Sequence, residues 1–153
     1  MNFADALDTR IDTIERPPVL PVGTYTMTVK KVPEFSEVGK GNYDAVDFLM
    51  QLIQADEDVD QDALAAYGGL SPASVTRRRF MFDKSDKARF DRTLFDMKVF
   101  LTEHLQIEGD ANAPLKELLN SAVGMSCKGY IKHRPDPERP DVIYAEISKT
   151  TPV

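Results

Sequence analysis

The sequence predicts a mixed α+β domain that is mainly β, and three observations lead to this class. Five segments have the apolar–polar alternation, or the β-branched and aromatic content, that is typical of strands. One segment, residues 86–105, repeats its apolar residues every three or four positions, as an amphipathic helix does. A length of 153 residues, 42% of them hydrophobic, suits one domain with a core of its own.

The predicted elements follow one another in a simple order. Residues 1–20 form an arm with a short helix at 3–14, because Pro17, Pro18 and Pro21 prevent a helix from continuing. Residues 21–153 form the domain. Its strands are predicted at 24–29, 43–54, 75–82, 125–133 and 142–149, its helices at 86–105 and 113–122 with a helical turn at 62–67, and its loops at 33–42, 55–72 and 134–141.

Three strands, a long helix and two further strands make the order of the OB-fold. This fold is a five-stranded Greek-key barrel, and here the long helix stands between strands 3 and 4. Other small mixed folds share the order. In an OB barrel, ligands bind across strands 2 and 3, between the loop that joins strands 1 and 2 and the loop that joins strands 4 and 5. Residues 33–42 and 134–141 would then border the groove.

Cations and an aromatic ring alternate in the fourth predicted strand. The two-residue period places Lys128, Tyr130 and Lys132 on the face that points away from the core. Proteins that bind single strands without sequence preference hold the phosphates with cations and stack the bases on aromatic rings. We therefore predict that these three residues, together with Arg134 in the following loop, contact nucleic acid. An ordinary solvated strand face is the alternative explanation of the same pattern.

Three consecutive arginines stand in the third predicted strand, directly before Phe80 and Phe82. Alternation places Arg77 and Arg79 on one face and leaves Arg78 on the opposite face with the two rings. Neighbouring guanidinium groups repel one another unless an anion lies nearby, so we predict that all three arginines bind phosphate. Phe80 and Phe82 are expected in the core, where apolar strand residues usually lie.

Charge is distributed unevenly along the chain. The net charge of −6 argues against wholesale coating of duplex DNA, which usually requires a basic domain. Residues 55–62 contain five acidic residues and no basic one, whereas the segments 71–92 and 123–134 have an excess of basic residues. These segments can still form a basic groove if they meet in space. One hypothesis is that the acidic loop folds over the groove when nucleic acid is absent and competes with phosphate.

The sequence predicts no catalytic centre, no cofactor and no metal site. His104 is expected at a helix end, Cys127 on the inward side of its strand and His133 beside the basic strand. The segment 56–67 lacks the glycine and the terminal glutamate of an EF-hand. A single cysteine, an N-terminus unlike a signal peptide and the lack of an apolar run of about 20 residues predict a cytoplasmic protein outside the membrane.

The domain resembles a bacteriophage protein family over residues 21–82 and, more loosely, over the closing strands. The residues that carry the resemblance are PVGTYTMTVKKVPEFSEVGKGNYDAVDFLMQLI, which begins at Pro21, and RRRFMF, which ends at Phe82. Members open with a Pro-x-Gly-x-Tyr strand, a Lys/Ser/Gly loop and an alternating apolar strand, and some relatives are OB-fold single-stranded-DNA-binding proteins of tailed phages. The resemblance implies that Lys40 and Tyr43 border the groove and that Arg77–Arg79 contribute from the third strand.

The same resemblance implies a function. Such a protein coats and protects single-stranded DNA while a phage genome is replicated and recombined in the host cytoplasm, and replication or recombination proteins are its partners. Many single-strand binders end in an acidic tail that recruits these enzymes, whereas this sequence ends KTTPV. The acidic segment 55–62 is the candidate substitute.

Two other classes of function remain open from the residues. The acidic net charge favours a protein-interaction module, or a virion or assembly component, in which the arm at residues 1–20 pairs with a neighbouring subunit and forms a homo-oligomer. A nuclease would need carboxylates that converge at one site, but the acids lie in one loop and on a helix surface. Steep salt dependence of binding would distinguish a nucleic-acid binder from an interaction module.

Overall fold

The computed structural model describes residues 2–153 and is a mixed α+β fold, as the sequence predicts. An antiparallel sheet is covered at one side by helices. Its strands are β1 (Gly23–Val29), β2 (Glu34–Val38), β3 (Tyr43–Ala55), β4 (Val75–Asp83), β5 (Ser126–Pro135) and β6 (Ile143–Thr151). The helices are α1 (Phe3–Ala6), α2 (Gln61–Tyr67), α3 (Lys87–Val99) and α4 (Leu115–Ser121).

The strands β1, β2 and β3 form one long, bent hairpin. β3 has 13 residues, and along one edge it pairs with β1 in its C-terminal half and with β2 in its N-terminal half. The turn lies at residues 39–42, where Gly39, Lys40 and Gly41 all have positive φ. The prediction of a loop at 33–42 is therefore wrong for residues 34–38, because an exposed strand beside β3 satisfies its backbone without needing an alternating apolar pattern.

The other strands complete a Greek key. β4 pairs with the free edge of β3, and β5 returns beside β1 with β6 outside it. The spatial order β5, β1, β3, β4 is that of a Greek key, in which the fourth strand lies beside the first. β4 and β6 approach each other, but no ladder joins them in the part of the chain that is described, so the sheet of six strands is open. The five-stranded barrel is not confirmed.

The core lies between the inner face of the sheet and α3. Tyr25, Phe48 and Phe100 are fully buried. The rings of Phe48 and Phe80 contact Phe100 with centroid distances of 5.0 and 5.5 Å, in edge or tilted arrangements that aromatic pairs prefer. Phe82 is also buried, so the prediction that Phe80 and Phe82 belong to the core is confirmed.

Helix α3 is the predicted long helix. Asp86 is its N-cap, and the Asp86 side chain accepts a hydrogen bond from the Arg89 N–H at 3.1 Å. In the preceding turn, the Asp83 carboxylate accepts hydrogen bonds from the Ser85 N–H and hydroxyl. The helix continues as a π-helical segment over Phe100–His104, which turns Phe100 and Leu101 into the core.

The arm at residues 2–19 is separate from this core. It contains α1 and a single 3-10 turn at Ile11–Thr13, instead of one continuous helix over 3–14. The first described residue that packs into the core is Leu20, which follows the arm and whose carbonyl accepts a hydrogen bond from His133 Nε2 at 2.7 Å. Among the helices of residues 2–153, none has the length and apolar character required to cross a membrane.

Candidate nucleic-acid interface

The outer face of β5 and β6 carries the predicted row of cations and rings. Cys127, Gly129 and Ile131 point inward, so the alternation turns Lys128, Tyr130 and Lys132 outward, with Arg134 following. Side chains on one face of a strand repeat about every 6.7 Å. The paired strand β6 adds three outward residues, since Lys149 lies opposite Tyr130, Glu146 opposite Lys132, and Tyr144 opposite Arg134. We call this set of seven residues the β5–β6 face.

Lys149 was missed by sequence reasoning, and the reason is a bulge. The register shifts between Tyr130 and Ile131, so that Tyr130 pairs with Lys149 while Ile131 pairs with Ile147. Without the extra residue, alternation would place Lys149 on the inner face with Ile147. With it, the Lys149 ammonium lies 5.8 Å from the centroid of the Tyr130 ring, within the range of a cation–π contact.

The cations of the β5–β6 face differ in their partners. Lys128 donates to Asp56 at 2.7 Å, and Arg134 donates through Nε to both carboxylate oxygens of Glu146 at 3.1 Å. Lys132 and Lys149 have no carboxylate within ion-pair distance among residues 2–153. The face thus offers two cations that are already neutralised and two that phosphate can approach without displacing an acid.

The second aromatic ring of the β5–β6 face, that of Tyr144, is held in place by two contacts. The Arg134 guanidinium lies 5.1 Å from the Tyr144 ring centroid, and the Tyr144 hydroxyl donates to Asp136 at 2.8 Å. This hydrogen bond lowers the pKa of the Asp136 carboxyl. The same carboxyl accepts the N–H groups of Glu138 and Arg139, which orders the proline-rich loop between β5 and β6. Tyr144 is therefore fixed in orientation before any ligand binds.

The three arginines of β4 lie on two opposite faces of the strand, as alternation predicts. Arg77 and Arg79 point outward, and Arg78 lies on the inner side with Phe80 and Phe82. Arg79 makes a bidentate pair with Asp47 at 2.7 and 2.8 Å, and Asp47 is only 8% exposed. We expected an anion near the three arginines because their guanidinium groups repel one another. For Arg79 this anion is Asp47 of the neighbouring strand β3. Arg77 is exposed and has no acidic partner in the described part of the chain.

Arg78 lies against the aromatic rings of the core. Its guanidinium carbon lies 4.3 Å from the Phe80 ring centroid and 5.8 Å from that of Phe100. Burial lowers the pKa of Arg78, and its Nε is buried without a hydrogen-bond partner among the described atoms. Arg78 is thus held by cation–π contacts on the face opposite Arg77 and Arg79, and its contact with phosphate stays a prediction.

Lys40 and Tyr43 lie at the tip of the long hairpin. Lys40 occupies the turn with φ 58°, and Tyr43 begins β3 opposite Val38. The Tyr43 ring leaves no room for a side chain at Gly39, whose Cβ would lie 2.9 Å from the ring. The outer side of the hairpin also carries Glu34, so the approach from Lys40 to Arg77 is not uniformly basic.

The predicted residues therefore form two separate groups. Lys40, Tyr43, Arg77 and Arg79 belong to the β2–β3–β4 part of the sheet, and the second group belongs to β5. Along the paired sheet, β4 and β5 are separated by β3 and β1, and across the open seam, where β4 approaches β6, they are separated by β6. The two basic segments of the sequence are thus not adjacent strands. The β5–β6 face has two rings and four cations, whereas the group around β4 has one ring, that of Tyr43.

The acidic segment 55–62 contacts the β5–β6 face directly. Asp56 binds Lys128, and Asp58 accepts hydrogen bonds from the N–H and the hydroxyl of Thr24 at 2.9 and 2.8 Å. These two bonds lower the pKa of Asp58. Asp60 is instead the N-cap of α2. Asp56 is thus the residue of the acidic loop that pairs with a cation of the basic strand, as the hypothesis of a competing acidic loop requires.

The remaining titratable residues singled out in the sequence have structural partners. His104 Nδ1 bonds the Thr150 hydroxyl at 2.8 Å, and burial lowers the pKa of His104. Cys127 is fully buried, and desolvation raises the pKa of its thiol to about 11. His133 fastens the end of the arm through Leu20 instead of lying beside the basic row.

The chain matches no protein-family model, and a comparison with curated proteins finds no significant match.

Proposed function

We propose that this protein binds single-stranded DNA on the β5–β6 face and coats it without strong sequence preference. The observation that carries the proposal is the combination of Tyr130 and Tyr144 with four cations on one pair of strands. Stacking of a base on an exposed ring contributes about 1–3 kcal/mol, and the cations follow the phosphates. The protein acts as a binding protein, without catalysis of its own.

A partly open OB barrel is the architecture that we propose for this function. The five strands β4, β3, β1, β5 and β6 follow the Greek-key order, and β4 and β6 approach each other at the unpaired seam. Barrels of this class are described as partly open and bind oligonucleotides on their outer strand faces. In this chain the rings and accessible cations favour β5 and β6 over the strands that usually form the groove.

The biological setting is proposed from the resemblance described above. The resemblance comprises a Pro-x-Gly-x-Tyr strand, a Lys/Ser/Gly loop and an alternating apolar strand, which correspond here to β1, the segment with β2 and the hairpin tip, and β3. We propose that the protein protects single-stranded DNA during phage genome replication and recombination in the host cytoplasm. Proteins of replication or recombination are its proposed partners.

The test is fluorescence anisotropy with a labelled oligothymidylate of about 30 nucleotides, measured at several salt concentrations. Tyr130→Ala should weaken binding about 5- to 150-fold, the equivalent of one lost stacking contact. Lys132→Ala should reduce the slope of log affinity against log salt by about 0.7, which is one phosphate contact. Lys116→Ala is the matched control, because it removes an exposed cation on α4, outside the sheet.

The outcomes separate the classes of function. Salt-sensitive binding that Tyr130→Ala weakens and Lys116→Ala does not would support the proposal. Binding weakened only by Arg77→Ala would move the interface to β4. Lack of binding at low salt would refute the proposal and favour the protein-interaction alternative, which the exposed apolar residues of the arm and of α3 support independently.

A further inference from the structure

An apolar groove runs beside helix α3. It consists of two hollows of about 600 and 840 Å³ that share Leu94 and Leu115. The first hollow lies between the β2–β3 hairpin, α3 and α4, and the second lies between α3, α4 and residues 107–113. Because the two hollows adjoin at a common wall, one ligand that crosses Leu94 and Leu115 can fill both.

Large apolar side chains of this groove are exposed to solvent. Phe35 and Phe95 are 67% and 61% exposed, and Leu94 is exposed as well. Phe35 lies directly opposite Val46, which belongs to the core, so the Phe35 ring is on the side of the sheet that faces α3. Adjoining exposed apolar residues of this size are typical of a surface that binds another molecule.

Carboxylates outnumber cations along the groove. One basic residue, Lys98, lines it. The acidic residues that line it are Glu37, Asp44, Asp91, Glu108 and Asp110. Asp91 has a partner on its own helix, because Lys87 lies 2.8 Å away.

The other four carboxylates are neutralised only in part. A single ammonium group, that of Lys84, lies 3.5 Å from Glu37 and 3.3 Å from Asp44, so that two carboxylates share one cation. Glu108 and Asp110 are exposed and form no ion pair within residues 2–153. Even with all three lysines counted, the acidic residues of the groove remain in excess, and the groove attracts a cationic ligand.

The arm of the same chain does not match this charge. Between positions 2 and 19 it has four acidic and two basic residues, so its net charge has the same sign as that of the groove. Its large apolar residues, Phe3, Leu7, Ile11 and Ile14, are exposed in the structure. The groove therefore favours a segment of opposite charge over the arm.

We infer that this groove binds a basic amphipathic helix of a partner protein, with large apolar side chains on one face and lysine or arginine beside them. Recognition of a helix in a groove uses apolar anchors at positions i, i+3 or i+4, and i+7. These anchors enter the two hollows on either side of Leu94 and Leu115, while the flanking cations pair with Glu108 and Asp110. The groove shares no residue with the β5–β6 face, so the inference does not depend on DNA binding.

Fluorescence anisotropy with three labelled peptides tests the chemistry of the ligand. Each peptide has about 14 residues, or four helical turns. The first has leucines along one helix face and lysines elsewhere, the second has glutamates in place of the lysines, and the third has the composition of the first with its leucines scattered around the helix. The full-length protein should bind the first peptide about tenfold or more tightly than either of the others.

Three results with these peptides would overturn the inference. Failure of the first peptide to bind would remove the groove as a docking site. Equal affinity for the first and third peptides would show attraction by net charge alone. Equal or tighter binding of the second peptide would contradict the charge argument.

Substitutions in the groove test the place of binding. Phe35→Ser and Phe95→Ser should each weaken binding of the leucine–lysine peptide about tenfold or more, because each removes a large apolar contact. Ile53→Ser is the matched control, since Ile53 is an exposed apolar residue of β3 outside both hollows. Glu108→Gln should weaken binding about 1.4- to 5-fold. Glu138→Gln removes the same charge from the loop between β5 and β6 and should have no effect.

The two phenylalanines are exposed, so these variants should fold, and circular dichroism checks that they do. Unchanged affinity in both folded phenylalanine variants, or an equal loss in Ile53→Ser, would overturn the inference.

A variant of the arm distinguishes a partner protein from the arm itself. Leu7→Ser/Ile11→Ser removes two large apolar side chains of the arm and leaves the groove intact, so it should bind the leucine–lysine peptide as the wild type does. Binding about tenfold tighter would show that the arm occupies the groove and would overturn the inference. A protein that binds this peptide but not DNA would refute only the proposed function.

Discussion

Asp56→Asn should tighten binding of single-stranded DNA, because Asp56 occupies Lys128. The Asp56 carboxylate lies 2.7 Å from the Lys128 ammonium, and the two side chains are 28% and 36% exposed. A partly exposed pair of this kind contributes about 0.2–1 kcal/mol. A phosphate that binds Lys128 must displace Asp56, so removal of the acid should increase affinity by the same free energy, about 1.4- to 5-fold.

The salt dependence gives a second and independent measure. In the wild type, the phosphate releases a counterion while the displaced Asp56 takes one up, so that the contact at Lys128 adds little to the salt slope. In Asp56→Asn this cancellation is absent, and the slope of log affinity against log salt should steepen by about 0.7. The backbone N–H of Asp56 donates to the Thr24 carbonyl in either case, so the loop should keep its position.

Glu57→Gln is the matched control for this experiment. It removes the same charge from the same segment, but Glu57 forms no side-chain hydrogen bond or ion pair within residues 2–153. The assay is the anisotropy titration over several salt concentrations. Equal affinities and equal slopes for Asp56→Asn and Glu57→Gln would refute the reasoning. Both substitutions would then act only through the general repulsion between the acidic segment and the DNA phosphates. A wild type that does not bind would refute the proposed function instead.

Three further predictions concern the fold. Burial raises the pKa of Tyr25 to about 12, and its hydroxyl donates to the Pro21 carbonyl at 2.7 Å, so the stability due to neutral Tyr25 should be complete below pH 10 and be lost as the pH rises toward 12. An ultraviolet titration should show one late-ionising tyrosine that Tyr25→Phe removes, and its persistence in that variant would contradict the assignment. Gly23→Ala should destabilise the domain by about 1–3 kcal/mol in urea unfolding, because the new Cβ would lie 2.5 Å from Val59 Cγ2 at a φ of 144°. Phe100→Ala should cost about 3–5 kcal/mol in the same assay, and a loss below 1 kcal/mol would argue against the buried cluster of three phenylalanines.

The positions of the strands and of the long helix were predictable because each has a local pattern. Alternation around Tyr25 and around Tyr130 identified β1, β5 and their inner faces, and the three- and four-residue repeat identified α3. The outward direction of Arg77 and Arg79 was predictable for the same reason. β2 was not, because its residues are exposed and its position depends on the backbone of β3.

The candidate site was predictable in part. Lys128, Tyr130 and Lys132 share a face because alternation is a property of one strand. Their partners depend on pairing between distant segments: Asp56 reaches Lys128 across 72 positions of the chain, and a bulge brings Lys149 opposite Tyr130. No local pattern contains that information.

Local patterns were sufficient to predict the α+β class and the sides of the strands, because periodicity acts over a few residues. Which cations remain accessible depends on tertiary contacts. Asp47 neutralises Arg79, the core rings hold Arg78, and Lys132 stays open because β6 places only Glu146 opposite it and that acid binds Arg134. Charge pairing depends on distances between segments far apart in the chain, and these distances exist only once the sheet has formed.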